Sequence, residues 1–348
     1  MKRVRIGIVG CGEIAFKKHL PNLVKHERVS LDAFHNRTRS KAVQAKKQFG
    51  SANARVYDTA DALLEDPSID AVHVLTANDT HHDFAIRALA NKKHVMVEKP
   101  MARNESEARS MLDAAKHNDC FLTVAYQNRF RADIRRLKSM IEEGELGEIY
   151  HIKAKSIRRR GTPSWGTFTD KTIQGGGPLI DIGSHVLDLS LHLLGFPTIA
   201  YVAGAHYTKL SHENKVNKFG PFDHATYDVE DSAFAFIKTT DKTTINLECS
   251  YALNTTDEGE NILEVHGTKA GATIHDGLTL NYVSDEGYVS ETIELPHADA
   301  AKWETDAWIE SILKYEAPFV KAQEGYEINR IIDAIYRSAH TNKPVSFK

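Results

Sequence analysis

The chain has 348 residues, of which 41% are hydrophobic and 26% are charged, and its formal net charge is −3 with histidine neutral. This length suffices for two domains that each bury a core, and the composition is typical of a globular protein. The small net charge gives no long-range attraction to nucleic acid or to an anionic membrane. We therefore expect a small-molecule partner and no nucleic-acid or membrane partner.

The three cysteines, Cys11, Cys120 and Cys249, are scattered and lack the spacing of metal ligands. Their odd number argues against a disulfide framework and fits a reducing compartment. The apolar run in "MKRVRIGIVGCGEIA" is short and interrupted by glycines, unlike that of a signal peptide, and no segment has the length of a membrane span. The sequence predicts a cytoplasmic protein without a metal site.

From residue 4 to about 125, short β-branched runs alternate with longer amphipathic ones, as in "DAVHVLT" followed by "HHDFAIRALANK". A strand followed by a helix, repeated, predicts βαβ units and a parallel sheet. In such a sheet, ligands bind at the carboxyl ends of the strands. The fold class is therefore predicted to be α/β.

The pattern changes after "RFRADIRRLKSMIEEGELG", which reads as a helix ended by glycine. Long alternating runs such as "EIYHIKAKSIRR" and "TTINLECSYAL" lack intervening helices and predict a mainly antiparallel sheet. The C-terminal segments "AWIESILKYEAPFVKAQ" and "EINRIIDAIYRSAHTNK" return to a helical pattern. We expect one domain over 1–126 and a second, α+β domain over 127–348.

A glycine-rich turn follows the first predicted strand, where "RIGIVGCGEIA" places Gly10, Gly12 and Ala15 as G-x-G-x-x-A. The first glycine permits the tight turn, the second lets backbone approach a pyrophosphate, and the small third residue lets helix pack on strand. Helix N-terminal amides then bind the phosphates. We predict a dinucleotide site that includes Gly10, Gly12, Glu13 and Ile14. The alternative is a tight turn that needs its glycines for conformation alone.

The second predicted strand, in "SLDAFHNRTRSKA", ends where an acidic residue would bind the ribose 2′-hydroxyl of NAD. Asn36 occupies that position and is followed by Arg37. An amide beside guanidinium groups does not repel a 2′-phosphate, and a guanidinium can bind one through two hydrogen bonds. The sequence thus favours NADP over NAD, the alternative being that the arginines form a solvated loop face.

Two further segments carry candidate catalytic residues. "HVMVEKPMARN" places Lys99 just after a strand, where its ammonium group can donate to a substrate oxygen; an ordinary surface lysine is the alternative. "GGGPLIDIGSHVLDLSLHLLG" places Asp181 and His185 four positions apart, about one helical turn, so that they can share a helix face. Asp181 as a helix cap and His185 as one of 18 histidines is the alternative interpretation.

Seven segments, in order, give the chain a resemblance to the glucose-fructose oxidoreductase, inositol dehydrogenase and rhizopine-catabolism family, usually written Gfo/Idh/MocA. They are "GIVGCGEIA", "TANDTHH", "HVMVEKPMA", "AYQNRFR", "ELGEIYHIKA", "GGGPLIDIGSHVLDL" and "DAIYRSAHTNKPV". The resemblance covers essentially the whole chain. It implies an N-terminal Rossmann domain and a C-terminal α/β domain with an open sheet that often serves in oligomerisation.

The resemblance also implies hydride transfer between a nicotinamide cofactor and a sugar or cyclitol carbon. The family uses lysine, aspartate and histidine at its site, which correspond here to Lys99, Asp181 and His185. His185 would act as base on the hydroxyl in oxidation and as acid in reduction, because imidazole ordinarily titrates near neutral pH. Asp181 would bind a neighbouring hydroxyl and orient the base, and Lys99 would stabilise developing charge on the oxygen.

Further positions follow from the resemblance with less detail. The cofactor is expected to be lined by Thr76, Asn78 and His81, and by Glu98 together with Lys99. Ala77 departs from the proline that is commoner at its position in the family. The substrate is expected to contact Tyr126, Asn128 and Arg129, although Arg129 could instead form an interdomain salt bridge.

The segment "SIRRRGTPSWGTFTD" has no regular period but contains three arginines and Trp165. Aromatic rings pack on sugar C–H groups and guanidinium binds hydroxyls, so this loop is a candidate cover for the substrate, with Trp165 as a contact. The alternative is a loop between subunits. The alternating strands from about residue 228 to 295 have few helices to cover their outer face, which predicts a homodimer or homotetramer.

The sequence therefore predicts an NAD(P)-dependent dehydrogenase or reductase acting on a sugar, polyol or cyclitol. A nicotinamide-sensing regulatory protein would need the cofactor site but not Lys99, Asp181 and His185. A redox-assisted glycosidase would need the cofactor yet release a free sugar without net cofactor turnover. The sequence alone does not separate this last alternative from a dehydrogenase.

Overall fold

The computed structural model of the protein describes residues 3–212, 216–296 and 298–347. The chain forms two compact units, the first comprising the chain up to Gln127 together with Asp299–Asn329, and the second Asn128–Ala298 together with the chain from Arg330 onward. The division expected from the sequence, 1–126 and 127–348, differs in the segment 299–329. This segment joins the first unit because Trp308 and Ile309 are buried in that unit's hydrophobic core.

The first unit contains a six-stranded sheet in the order β3-β2-β1-β4-β5-β6, and all its strand pairs are parallel. Its strands are β1 (Val4–Val9), β2 (Val29–His35), β3 (Arg55–Val56), β4 (Ala71–Val74), β5 (His94–Val97) and β6 (Leu122–Val124). This order is that of a Rossmann fold, and the predicted α/β class is confirmed. Ligands of such a sheet bind beyond the carboxyl ends of its strands.

The second unit contains a nine-stranded sheet in the order β14-β13-β12-β11-β7-β10-β9-β8-β15. Its strands are β7 (Ile149–Ile157), β8 (Ile199–Tyr207), β9 (Ser232–Thr239), β10 (Thr244–Ser250), β11 (Gly259–Gly267), β12 (Ala270–Ile274), β13 (Leu278–Ser284), β14 (Gly287–Ile293) and β15 (Val345–Ser346). Only β7 and β10 pair in parallel, so the predicted, mainly antiparallel sheet is confirmed. Along β10, Ile245, Leu247 and Cys249 alternate inward.

Helices connect and cover these strands. In chain order they are α1 (Leu20–Lys25), α2 (Arg39–Phe49), α3 (Ala60–Leu64), α4 (Asn78–Ala90), α5 (Glu105–Asn118), α6 (Ala132–Glu142), α7 (Lys171–Gln174), α8 (Ser184–Leu194), α9 (Ala300–Lys314) and α10 (Ala322–Thr341). π-Helical turns over Ala15–His19 and Leu179–Gly183 lead into α1 and α8. Such turns are rare in proteins overall, and many of those that occur lie at functional sites.

Local sequence explains several helix boundaries. The Asn104 side chain accepts a hydrogen bond from the Glu107 amide at the start of α5, and Asp299 accepts one from the Lys302 amide at the start of α9. In the second unit, α8 packs on β7, β10 and β11. Within the described ranges, no helix has both the length and the apolar character that crossing a membrane requires.

Candidate functional site

The turn after β1 has the shape expected of a phosphate cradle. Gly10 has a φ of +99°, and a Cβ there would lie 2.5 Å from the Leu75 carbonyl oxygen, so no other residue fits without strain. A Cβ on Gly12 would meet no heavy atom within 4 Å. Glu13 and Ile14 are exposed at the beginning of the helix that follows. Exposed backbone facing open space at a helix start fits a dinucleotide pyrophosphate.

The end of β2 is tied to this turn by Asn36. Its Oδ1 accepts a hydrogen bond from the Cys11 amide at 2.9 Å, and its Nδ2 donates to the Thr38 carbonyl at 3.0 Å. The amide thus fixes the glycine turn, a role that its position in the sequence did not indicate. Arg37 is exposed, whereas Arg39 forms an ion pair with Asp58 at 2.7 Å.

The turn after β4 is joined to the turn after β5 by a buried histidine. The His81 ring lies between the Pro100 carbonyl oxygen, 2.9 Å from Nδ1, and the Thr76 carbonyl oxygen, 3.1 Å from Nε2. Burial lowers the pKa of His81, so the neutral ring donates to one of these oxygens at a time. Asn78 is buried and Thr76 is half-buried. His81 therefore fixes two turns at the edge where the cofactor is expected.

Lys99 follows β5 at the same edge of the sheet and is half-exposed. Its backbone amide donates to Oε2 of Glu98 at 3.0 Å. Glu98 itself is buried, although the sequence suggested a cofactor-lining residue. In the first unit, then, the lysine side chain is the accessible member of the Glu98–Lys99 pair.

In the second unit, Glu230 holds the start of the glycine-rich segment. Its carboxylate accepts hydrogen bonds from the Gly177 amide at 2.9 Å, the Leu179 amide at 3.1 Å and the Tyr336 hydroxyl at 2.8 Å. A Cβ on Gly177 would lie 2.3 Å from the Glu230 carbonyl oxygen, so the close approach requires glycine. Glu230 comes from a distant loop, and no local pattern in the sequence pointed to it.

Asp181 lies inside the π-helical turn and is therefore not the cap of that helix. Its Oδ2 accepts a hydrogen bond from the Tyr251 hydroxyl at 2.6 Å. Burial, together with the charge of Asp181, raises the pKa of Tyr251 well above its usual value, which keeps the hydroxyl protonated and donating. The carboxylate is 9% exposed. Tyr251 was missed by sequence reasoning because it reaches Asp181 only through the fold.

The His185 ring lies beside Asn128, which is itself bound by Asn261. Nδ2 of Asn128 lies 3.5 Å from Nδ1 of His185 and donates to Oδ1 of Asn261 at 3.2 Å. An amide nitrogen facing Nδ1 places the proton of the neutral ring on Nε2, whereas an amide oxygen there would place it on Nδ1. Nε2 can therefore take a proton only in the tautomer protonated at Nδ1, and in the other tautomer it can only donate one. Asn128 thus contacts a predicted catalytic residue.

Tyr126 and Arg129, for which substrate contacts are expected, are both buried in the structure. Arg129 is 1% exposed and its guanidinium forms a buried ion pair with Asp188, with an Nη2–Oδ1 distance of 2.6 Å. Both partners of this ion pair belong to the second unit, so it is not an interdomain bridge. Tyr126 is fully buried.

Trp165 begins a row of ring and guanidinium contacts that leads to Asp181. It is 47% exposed, and its ring meets that of Phe219 edge-on with the centroids 5.0 Å apart. The Arg158 guanidinium lies 5.4 Å from the Phe219 ring centroid and 5.6 Å from that of Tyr251. Arg158 also forms an ion pair with Glu260 at 2.8 Å. The predicted substrate contact Trp165 is therefore linked to Asp181 through Phe219, Arg158 and Tyr251.

Two family models match the chain. Residues 4–126 match an oxidoreductase family described as having an NAD-binding Rossmann fold, and residues 138–347 match the C-terminal alpha/beta domain of the same family. The chain belongs to the Gfo/Idh/MocA oxidoreductase family. The resemblance seen in the sequence is confirmed, and the first unit is the family's nicotinamide-dinucleotide domain.

Similar proteins of this family are sugar dehydrogenases by name. The D-glucoside 3-dehydrogenase of Escherichia coli K12 is 34% identical over 344 residues, which cover 98% of this chain and 97% of that protein. A D-xylose 1-dehydrogenase (NADP(+)) of Haloferax volcanii is 25% identical and is covered to 98%. The crystal structure of an aldose-aldose oxidoreductase from Caulobacter crescentus, complexed with glycerol, superposes with a TM-score of 0.85 at 26% identity and covers 99% of this chain. This member of the Gfo/Idh/MocA family is therefore an oxidoreductase that acts on CH–OH groups.

Proposed function

We propose that this Gfo/Idh/MocA protein transfers a hydride between a nicotinamide cofactor and a hydroxyl-bearing carbon of a sugar, polyol or cyclitol. The observation that carries the proposal is the polar pair in the second unit, where the Asp181 carboxylate is held by Tyr251 beside the turn that leads to His185. The names of the similar dehydrogenases support the same substrate class.

The cofactor-binding residues belong to the carboxyl edge of the parallel sheet. We assign the phosphates to the turn Gly10–Ile14, the 2′ side of the ribose to Asn36 and Arg37, and the nicotinamide side to the turns that contain Thr76, Asn78, His81, Glu98 and Lys99. The exposed Arg37 guanidinium favours a 2′-phosphate, and therefore NADP. When bound, the nicotinamide accepts the hydride in oxidation and returns it in reduction.

Side chains of the protein transfer the hydroxyl proton of the substrate and stabilise the charge on its oxygen. In oxidation, the hydride leaves the carbon with both electrons of its C–H bond while Nε2 of His185, in the tautomer protonated at Nδ1, takes the hydroxyl proton, so that a carbonyl forms. Lys99 donates to that oxygen and stabilises the negative charge that develops on it. Asp181 accepts a hydrogen bond from a neighbouring hydroxyl. Reduction reverses each step, with His185 as the acid.

Trp165 supports a glycoside as the substrate. Its exposed ring offers a contact for a second part of the substrate, away from the carbon that is oxidised. Sugar rings stack on exposed aromatic faces, and the row from Trp165 to Tyr251 leads to Asp181. We also assign Asn128 to the substrate site, and its contact with His185 supports this assignment. Tyr126 and Arg129 are given no substrate contact in this proposal.

The experiment that tests this function follows the absorbance of reduced nicotinamide with purified protein, NAD or NADP, and a panel of aldoses, inositols, polyols and methyl glycosides. We expect net cofactor reduction with at least one member of the panel and a lower KM for a glycoside than for its free sugar. Trp165→Ala should raise the glycoside KM more than the free-sugar KM. Release of free sugar without net cofactor reduction would favour a redox-assisted glycosidase, and cofactor binding without turnover would favour a regulatory protein.

We also propose a homodimer or homotetramer formed through the open face of the nine-stranded sheet. Half-exposed or exposed aromatic side chains on this face include Tyr201, Phe234 and Phe236. A monomer in light scattering at micromolar concentration would contradict this assembly. We place the protein in the cytoplasm, in keeping with its free cysteines, of which Cys11 and Cys249 are buried.

A further inference from the structure

Six polar or aromatic side chains form a buried cluster behind Lys99 in the first unit, and the proposed hydride transfer assigns none of them a catalytic step. Burying several titratable groups together is costly unless they compensate one another, and such clusters concentrate at functional sites. The cluster consists of Lys18 and His19 from the π-helical turn, His73 from β4, Glu98 at the end of β5, and Glu304 and Trp308 from α9.

The hydrogen bonds in this cluster have a single possible direction. Trp308 Nε1 can only donate, so Nε2 of His73, 3.1 Å away, accepts. The proton of a neutral His73 is then on Nδ1, which faces Nδ1 of His19 at 3.4 Å. His19 therefore accepts at Nδ1 and donates from Nε2 to Oε1 of Glu98 at 2.8 Å. We call these four residues, Trp308, His73, His19 and Glu98, the histidine chain.

Burial keeps both rings of the histidine chain neutral. It lowers the pKa of His73 well below its usual value, and it lowers that of His19, whose neighbour Lys18 adds to the effect. Two neutral rings between a donor that cannot accept and a carboxylate that only accepts must hold opposite tautomers. His73 carries its proton on Nδ1, and His19 carries its proton on Nε2.

Glu98, at the end of the histidine chain, accepts hydrogen bonds from three donors. Oε1 accepts from His19 and from Lys18 Nζ at 3.1 Å, while Oε2 accepts the Lys99 amide at 3.0 Å. Burial acts to raise the pKa of Glu98, but the charge of Lys18 and the hydrogen bond from His19 hold it well below its usual value. The carboxylate is therefore ionised, and each of its oxygens has a fixed partner.

Glu304 leaves the charge of Lys18 available to Glu98. Its Oε2 lies 3.0 Å from Lys18 Nζ, and its Oε1 is buried without a partner among the described residues. Burial raises the pKa of Glu304 to about 7, although Lys18 acts to lower it. One buried ammonium is shared by two carboxylates, and Glu304 is the one that takes up a proton.

We propose that Glu98 is a positioning residue for Lys99 and that Trp308, His73 and His19 orient the Glu98 carboxylate through the histidine chain. The hydrogen bond to Glu98 acts on the Lys99 backbone, directly after the end of β5, and so fixes the point from which the Lys99 side chain extends. This inference rests on the proposed function, which assigns a substrate oxygen to Lys99.

The first test measures the tautomers in the cofactor-bound protein with ¹⁵N-labelled histidine by NMR. We expect one buried ring protonated only at Nδ1 and a second protonated only at Nε2, both unchanged from pH 6 to 8. Trp308→Phe keeps a ring but removes the donor, so it should abolish this pattern at His73. Trp303→Phe, on the same helix but outside the histidine chain, should preserve it. Two rings with the same tautomer, or rings that are protonated at pH 7, would overturn the proposal.

The second test measures turnover in single and double variants. Small displacements of a catalytic group can cost up to about 100-fold, and we expect Trp308→Phe and Glu98→Gln each to lower kcat about tenfold or more. Cofactor affinity should stay unchanged in Trp308→Phe. In a Lys99→Met background, neither change should lower kcat further, because the group they position is gone. A purely structural role would lower kcat equally in both backgrounds and would contradict the proposal.

The two proposals fail in different ways. If Lys99→Met leaves kcat unchanged, the role of Lys99 in the proposed function is wrong, whatever the NMR spectra show. If Lys99→Met abolishes most activity while Trp308→Phe retains full kcat, the proposed function stands and the positioning role is wrong. Should Glu98→Gln fail to fold, Trp308→Phe decides the question alone, since it preserves every charge in the cluster.

Discussion

The two π-helical turns, Ala15–His19 and Leu179–Gly183, both lead into an α-helix and both carry titratable side chains. In the first, Lys18 and His19 point into a buried cluster and bind a carboxylate from another element. In the second, Asp181 is itself a candidate catalytic residue, and the Tyr251 hydroxyl donates a hydrogen bond to it. The first turn supports a neighbouring carboxylate with buried polar side chains, whereas the second carries a buried carboxylate that is itself a candidate for substrate binding.

This difference indicates how each unit tolerates polar groups in its interior. The first unit balances one lysine, two carboxylates and two neutral histidines. In the second unit, Glu230 binds the backbone amides of Gly177 and Leu179, whereas Asp181 is the carboxylate proposed to bind substrate. We expect substitutions in the buried cluster of the first unit to change stability and the position of Lys99. Substitutions at Asp181 and His185 in the second unit should change the chemical step.

The largest effect should come from His185→Asn. Loss of a general acid–base group typically lowers turnover by roughly 10²–10⁴-fold, and cofactor affinity should stay at the wild-type value because His185 belongs to the second unit. Steady-state kinetics with fluorescence titration of the cofactor measures both. His206→Asn, at an exposed position on β8, is the matched control and should retain full turnover. Near-normal turnover of His185→Asn would remove the chemical role from the second unit.

Glu304 should make stability depend on pH. Its pKa is about 7 in the folded protein against an ordinary value of 4.5, so the folded state binds the proton more tightly. The stabilisation is complete below pH 4.5 and is lost as pH rises through 7, by about 3 kcal/mol for this shift. Urea unfolding at pH 5 and pH 8 should show this loss in the wild type but not in Glu304→Gln.

The control for this experiment lies on the same helix. Glu310 is half-exposed and pairs with Lys314, so Glu310→Gln should reproduce the wild-type pH dependence. If Glu304→Gln also loses stability between pH 5 and pH 8, Glu304 is not the carboxylate of the buried cluster that takes up a proton.

Arg37→Ala tests the cofactor end of the first unit. If the guanidinium binds a 2′-phosphate, its removal should weaken NADP binding by about 1.5–3 kcal/mol, the range for hydrogen bonds to charged groups, and should barely affect NAD. Calorimetric titration with each cofactor measures the difference. Arg39→Ala, whose side chain is paired with Asp58, should change neither affinity. Equal losses for both cofactors would contradict the preference for NADP.

The smallest effect should follow Tyr251→Phe, which removes one hydrogen bond from Asp181. We expect a decrease in kcat/KM of about tenfold for the sugar, at the lower end of the range for a bond to a charged group, and unchanged cofactor affinity. Tyr207→Phe, at an exposed position on β8, serves as the control. An unchanged kcat/KM would show that Asp181 does not depend on Tyr251.

Local patterns sufficed to predict much of the first unit. The turn Gly10–Gly12, the strand before Lys99 and the βαβ alternation are encoded within short stretches, because glycine conformation and strand hydrophobicity are local properties. The structure groups the segment 299–329 with the first unit because Trp308 is buried beside strands that lie about 230 residues earlier in the sequence. Periodicity shows that such a segment is a helix, and not which core it joins.

The predicted site was limited by the same physical cause. Asp181 and His185 stand out by their spacing, but Tyr251 reaches Asp181 from a distant part of the sequence. Glu230 and Asn261 likewise come from distant segments to bind Gly177 and Asn128. Arg129 carries the same charge as a substrate-binding arginine, and only its burial against Asp188 gives it a packing role. Contacts between residues far apart in sequence decide which polar side chains remain accessible.

The most direct test of the account is a single-turnover experiment in which enzyme and oxidised cofactor are in excess over the best sugar substrate of the panel. Formation of reduced nicotinamide is followed in the wild type, Lys99→Met, Asp181→Asn and His185→Asn. The account predicts rapid reduction by the wild type, and rates lowered most in His185→Asn while every variant still binds the cofactor. Equal rates in the wild type and His185→Asn would contradict hydride transfer assisted by His185.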